Sequence, residues 1–171
     1  QLAADRFGPP TMLYVGPSVF NLTKMRLNRP GGVLFPFPAL HVRPDRATLL
    51  RAFLESIGYA LRANIGQLEA VTGQPTRELT LSGGMSRSAV LNRIIADVTG
   101  LPARVAAEPE SAALGCAVLM AANDGSRALA RTVQRMVRYT YVQPDLAQHG
   151  RYEAPYAKWR ELDQKLENVE L

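Results

Sequence analysis

The sequence predicts an α/β fold, and three observations predict it. Between residues 78 and 122 a strand, a glycine-bearing loop, a helix, a second strand and a second helix follow in that order. In this βαβα pattern the strands run parallel through right-handed crossovers. A long helical repeat of apolar residues precedes it, and 171 residues are enough for one domain with a real core.

Residues 1–46 are irregular and rich in proline, with Pro9-Pro10, Pro17, Pro30-Gly31-Gly32, Pro36, Pro38 and Pro44. Short strands are expected at Met12–Val15 and Val33–Phe37, separated by turns. From Asp45, a good N-cap, Leu50, Leu54, Ile57, Leu61, Ile65 and Leu68 recur every three or four residues, so one apolar stripe faces the rest of the domain. Gly73 and Pro75 close that helix. Glu78–Leu81 reads as a short strand that runs into Ser82-Gly83-Gly84. Val90, Leu91, Ile94, Ile95 and Val98 then restore the helical period up to Gly100. Ala103–Ala106 is the second strand, and Pro109 suits the first turn of a helix reaching about Ala122. Its Ala112, Ala113, Gly115, Ala117 and Ala121 allow close backbone approach, so this helix is expected to be buried, with Cys116 inert inside it. Asp124–Arg138 is expected as an amphipathic helix and Tyr139–Val142 as extended chain. Tyr156, Trp159, Leu162 and Leu166 mark a last helix.

Composition narrows the function classes. The chain is 47% hydrophobic and 20% charged, ordinary for a globular protein. Its longest near-unbroken apolar run, Ala112 to Ala122, falls short of the roughly 20 residues a bilayer-crossing helix needs. Gln1–Pro10 lacks the basic and apolar regions of a signal peptide. A single cysteine excludes an internal disulfide and fits a reducing compartment, so the expected location is the cytoplasm. An opening at Gln1 rather than methionine is expected of a piece of a longer chain. The formal charge of +5 raises the question of nucleic acid. Only Arg127, Arg131, Arg135 and Arg138 would share a helix face, and the plain reading is a solvated face opposite Leu129, Val133, Met136 and Val137. Neither nucleic acid nor membrane is expected as a partner.

The strongest local signal is Leu79-Thr80-Leu81-Ser82-Gly83-Gly84-Met85-Ser86-Arg87-Ser88. Two glycines between a strand and a helix let backbone N–H groups approach a ligand with no Cβ in the way. The helix start adds unpaired donors and a positive dipole end, both suited to phosphate. Ser86 and Ser88 bring hydroxyls, and either suits the cap. Alone, such a turn is more often mere turn chemistry than a binding site. It is neither a Walker A loop nor a dinucleotide fingerprint, because no GK[ST] follows and the G-x-G-x-x-G spacing is absent.

Three stretches in fixed order sharpen this: Gly83-Gly84 after a strand, Ala96-Asp97-Val98-Thr99-Gly100-Leu101-Pro102, and Glu110-Ser111-Ala112-Ala113-Leu114-Gly115-Cys116-Ala117. Together they resemble the carboxy-terminal domain of the FGGY carbohydrate kinases. There, a glycine-rich adenosine loop, an "ADVxGxP" stretch and an "E-x-AALGAA" helix follow one another. Arg51–Arg62 also looks like the family's "RAxxEGxAxxxR" helix, with Ser56 where glycine is usual, and Tyr152, Tyr156 and Trp159 match its aromatic terminal helix. The resemblance covers about residues 47–171 and is fainter over Pro30–Pro38.

The resemblance implies an actin-like ATPase, ribonuclease H-like domain: a mixed sheet flanked by helices, one part of a larger two-domain kinase. Residues 47–171 would be the nucleotide-binding domain, with 1–46 an irregular strand and turn segment of the same unit. Gly83, Gly84, Met85, Ser86 and Ser88 would lie along ATP or ADP, Met85 standing where a third glycine is common. Arg93 stands where glutamine is common. No catalytic residue and no metal ligand is assigned to this chain. An amino-terminal kinase domain would supply the Asp-Gly-Thr loop, most of the Mg2+ ligands, the base and the sugar pocket. Asp5 precedes Arg6-Phe7, Asp45 reads as a cap, and Gly16-Pro17-Ser18 is at best a degenerate second phosphate loop, since proline removes a donor. Asp97 and Glu110 are expected to be structural, Glu55 to reach a loop, and His41 and His149 to be loop histidines. Two alternatives stay open: a non-catalytic nucleotide-binding or regulatory module, and a basic nucleic-acid binder. Self-association is also open.

Overall fold

The structure, a computed structural model, describes residues 13–16, 31–34, 45–107, 111–121, 131–134, 136–167 and 169. Strands β1 (Leu13–Val15) and β2 (Gly32–Leu34) pair antiparallel, with Tyr14 opposite Val33. The expected strand over Val33–Phe37 is thus found at 32–34, and residues 35–37 lie outside the described residues. So do Asp5, Pro17, Ser18, His41 and Glu110.

Helix α1 spans Arg46–Thr72. Asp45 keeps an extended backbone and accepts the Thr48 N–H and hydroxyl, both at 2.8 Å, which satisfies donors the first turn leaves open. Gly73 ends the helix at φ +64 and gives its N–H to the Glu69 carbonyl at 2.8 Å, a left-handed cap that glycine adopts without strain. The long apolar stripe feeds two cores. Tyr59, Ala60 and Ala63 meet Val15, Ile94, Val98, Tyr152 and Trp159 in one. Ile57, Leu61 and Ile65 pack on Leu79, Leu91, Ile95 and Ala103 in the other. Helix α2 (Ala89–Thr99) separates them and serves both, crossing α1 so closely that a Cβ on Gly58 would stand 3.2 Å from Val98.

Strands β3 (Leu79–Leu81), β4 (Ala103–Ala106) and β5 (Tyr139–Val142) form a sheet in that order. The first pair is parallel, as the βαβ unit predicts, and the second antiparallel, so the sheet is mixed. Leu79, Ala103 and Val142 stand in one cross-strand row and turn inward, while the adjacent row of Thr80, Arg104 and Tyr141 turns outward.

Helix α4 (Leu146–Glu167) starts ten residues before Tyr156, the first residue that marked it in sequence. Asp145 caps it, accepting the Ala147 and Gln148 N–H groups at 2.9 and 3.2 Å. The helix carries Pro155 inside it, a residue that ordinarily ends a helix. His149, expected in a loop, therefore sits in the first turn of α4, its ring over Gly100 and its Nδ1 2.9 Å from the Asp97 carbonyl. Glu55 likewise reaches a helix rather than a loop. It accepts from Arg51 Nε at 2.6 Å and from the Tyr152 hydroxyl at 3.2 Å, which binds α1 to α4. Burial pushes its carboxyl above the usual range, against the pull of Arg51 and both hydrogen bonds.

Helix α3 (Ser111–Ala121) departs from expectation. It was expected to be buried, yet Val118 is its only buried side chain among those described, and Cys116 is exposed rather than enclosed. Small residues permit close packing but supply no partner. A helix that is apolar all round needs one on every side, and the described residues cover it on one side only. Of the expected Asp124–Arg138 helix, residues 131–134 and 136 are helical, while Arg127 and Arg135 lie outside the described residues.

Candidate functional site

The site forms where β3 hands over to α2. Gly83 takes φ +89 and ψ 177, a conformation almost reserved for glycine. Gly84–Arg87 then wind into a single 3-10 turn, and Ser88 opens α2. The Gly83 carbonyl accepts the Ser86 N–H at 3.0 Å and the Ser86 hydroxyl at 2.7 Å. Because a trans peptide is planar, with its N–H opposite its C=O, a Gly83 carbonyl held by Ser86 points the Gly84 N–H away from Ser86. Among the described residues, chain neighbours aside, nothing stands within 4 Å of where a Cβ would be on either glycine.

The five residues expected at this site divide into three kinds. Gly83 and Gly84 offer bare main chain, and the Met85 side chain is 57% exposed beside them. Ser86 is buried and its hydroxyl proton is spent on Gly83, so it shapes the turn from inside. Ser88 is exposed and caps α2, its Oγ accepting the Leu91 N–H at 3.2 Å. A hydroxyl that accepts one bond keeps a proton to donate.

One contributor escaped sequence reasoning. Asn92, buried at the end of the first turn of α2, donates from Nδ2 to the Ser86 carbonyl at 2.7 Å. A carbonyl cannot donate, so the amide orientation follows from the partner. Its Oδ1 is buried with no hydrogen-bond partner among the described residues. The available signal was a polar residue inside the apolar run of residues 90–98, four positions after the cap.

From Ser82 to Ala96 the chain carries Arg87 and Arg93 and no carboxylate, and the α2 N-terminus adds about half a positive charge. Arg93 reaches the Gln143 carbonyl at 2.8 Å, which steadies α2 against the segment after β5. Asp97, at the other end of α2, is structural as expected: it accepts the Asp145 N–H at 2.8 Å, and burial raises its carboxyl pKa. Among the described residues no group of three or more His, Cys, Asp or Glu side chains could hold a metal ion.

Residues 14–123 match the model of the FGGY family of carbohydrate kinases, C-terminal domain. The autoinducer-2 kinase of Yersinia enterocolitica is 31% identical over 118 residues, 68% of this chain and 22% of that protein. The autoinducer-2 kinase of Escherichia coli K12 is 32% identical over 133 residues, 75% of this chain and 25% of that protein. Among solved structures, xylulose kinase from Rhodospirillum rubrum superposes with a TM-score of 0.70 at 24% identity, over 97% of this chain and 33% of that one. Plasmodium falciparum glycerol kinase with ADP gives 0.74 at 18% identity, over 99% and 33%. The chain thus spans about a quarter of the curated relatives and a third of the solved kinases. Its fold is theirs, the actin-like ATPase architecture of mixed sheet and flanking helices.

Proposed function

Because this chain belongs to the FGGY family of carbohydrate kinases, as their C-terminal domain, we propose that it forms the nucleotide side of an ATP-dependent kinase acting on a sugar or polyol hydroxyl. One observation carries the reading: two bare glycines at the head of α2, with open space where their Cβ atoms would be among the described residues. Main chain of this kind takes an anionic, flat-faced ligand at close range. Gly83 and Gly84 lie against the adenosine and α-phosphate end of ATP or ADP. Met85 lays its thioether on the nucleotide, and Ser88 offers its hydroxyl. Ser86 keeps the turn in shape.

The nucleotide supplies the γ-phosphoryl group, and the residues of this chain bind and orient it. Phosphoryl transfer also requires a base for the acceptor hydroxyl and a metal to offset phosphate charge. The open glycine turn fits the nucleotide. In this reading the metal, the base and the sugar pocket belong to an amino-terminal domain. Candidate acceptors for the whole protein are those of its relatives: autoinducer-2, xylulose and glycerol. We place the protein in the cytoplasm; no helix among the described residues is long and apolar enough to cross a membrane.

Calorimetric titration of the 171-residue chain with ATP and ADP tests the reading. Binding weaker than about 1 μM is expected, because one side of the cleft acts alone. No sugar-dependent ADP release is expected from this chain by itself. Absence of binding at millimolar nucleotide defeats the reading, and turnover by the chain alone defeats the placement of the base elsewhere.

A further inference from the structure

We propose that Asn92 is a positioning residue for the nucleotide: through Ser86 it holds the Gly83–Gly84 peptide so that the Gly84 amide faces the ligand. The proposal rests on the nucleotide reading and deepens it. One bond joins Asn92 to Ser86, and two parallel bonds join Ser86 to Gly83. Asn92 Nδ2 donates to the Ser86 carbonyl at 2.7 Å. Ser86 in turn donates its N–H and its hydroxyl to the Gly83 carbonyl, at 3.0 and 2.7 Å. That carbonyl sets the plane of the peptide whose other end is the Gly84 N–H. Rotation of the Ser86 peptide would break the first bond, and rotation of the Gly83 peptide the other two.

The identity of the residue supports a function beyond packing. Asn92 sits in α2 beside Leu91, Ile94 and Ile95, all buried, where a leucine would add apolar area but take its donor away from the Ser86 carbonyl. Asparagine is a poor residue for a helix interior, and here its Oδ1 goes without a partner among the described residues, which costs stability. What the side chain gains is one donor aimed at the turn. Aspartate has the same shape and lacks that donor until it takes up a proton.

The test compares Asn92→Asp and Asn92→Leu with the unsubstituted chain, all three first shown folded by circular dichroism and melting. Two readouts follow: ADP affinity between about pH 8 and pH 5, and the NMR shift of the Gly84 amide without ligand. Asn92→Asp is expected to bind ADP about tenfold or more weakly at pH 8, where carboxylate opposes carbonyl. As pH falls and the buried carboxyl is protonated, its affinity relative to the unsubstituted chain should recover. Asn92→Leu should bind weakly at every pH, and both variants should move the Gly84 amide at pH 8. Unchanged affinity and an unmoved amide in the folded variants overturn the proposal, as does an Asn92→Asp loss that ignores pH. If the unsubstituted chain binds no ADP, the nucleotide reading falls, while the ligand-free amide shift still decides whether Asn92 holds the turn.

Discussion

Adjacent glycines in the turn should respond oppositely to one added methyl group. Gly83 lies at φ +89 and ψ 177, where alanine costs about 1–3 kcal/mol of backbone strain. No atom stands within 4 Å of its added Cβ, so that cost is conformational and neighbours cannot relieve it. At about 2–4 °C per kcal/mol for a domain of this size, Gly83→Ala should melt roughly 2–12 °C lower. Gly84 is absent from the positive-φ glycines and equally open. Gly84→Ala should therefore leave stability within about 1 kcal/mol, with a slight gain from a less free unfolded chain. Its methyl, however, enters the space assigned to the nucleotide. Overpacking of about 1–3 kcal/mol converts to roughly a five- to 150-fold loss of ADP affinity. Melting curves and calorimetric titrations on both variants give the answer. A Gly84→Ala chain that binds ADP as tightly as its parent would refute the placement of ligand over the turn. A Gly83→Ala chain of undiminished stability would refute the strained turn itself.

Further predictions follow from the same contacts. Ser88→Ala removes the acceptor for the Leu91 N–H and should cost about 0.5–2 kcal/mol, read as a lower urea midpoint. Gly100→Ala meets two penalties, a backbone at φ +70 and a Cβ 2.9 Å from the His149 ring, and should lose about 1–3 kcal/mol; adding His149→Ala should restore only the steric share. Glu55 has its folded pKa raised by burial, so the folded state binds more protons than the unfolded state above the ordinary glutamate range. Its contribution to stability is complete at low pH and is lost as pH rises through the folded pKa. Urea midpoints for Glu55→Gln should show a shallower decline from about pH 4.5 upward than the unsubstituted chain.

Local chemistry made much of this fold legible. Asp45 and Gly73 bracket α1 where cap preferences place them, and Ser88 and Gly100 do the same for α2. The glycine pair was visible as bare backbone between a strand and a helix, though only Gly83 takes the positive φ that favours glycine. The failures lie where tertiary contacts decide. Pro155 sits inside α4, whose first half carries Asp145, His149 and Tyr152 into contacts with α1 and α2 that no local pattern reveals. The small residues of α3 signal a capacity for close packing, and the described residues leave most of that surface uncovered. Asn92 was passed over because helical periodicity registers a polar residue in an apolar run only as an interruption. Its meaning lies in the Ser86 carbonyl, six residues away in sequence and hydrogen-bonded to it.

Titration of 15N-labelled chain with ADP tests the central claim most directly, because it reports which amides the ligand meets. The Gly84 amide should move first and furthest, followed by Met85 and Ser88, with the helical residues 131–134 unmoved. Shifts that bypass Gly83 and Gly84, or no saturable shift at millimolar ADP, would contradict it.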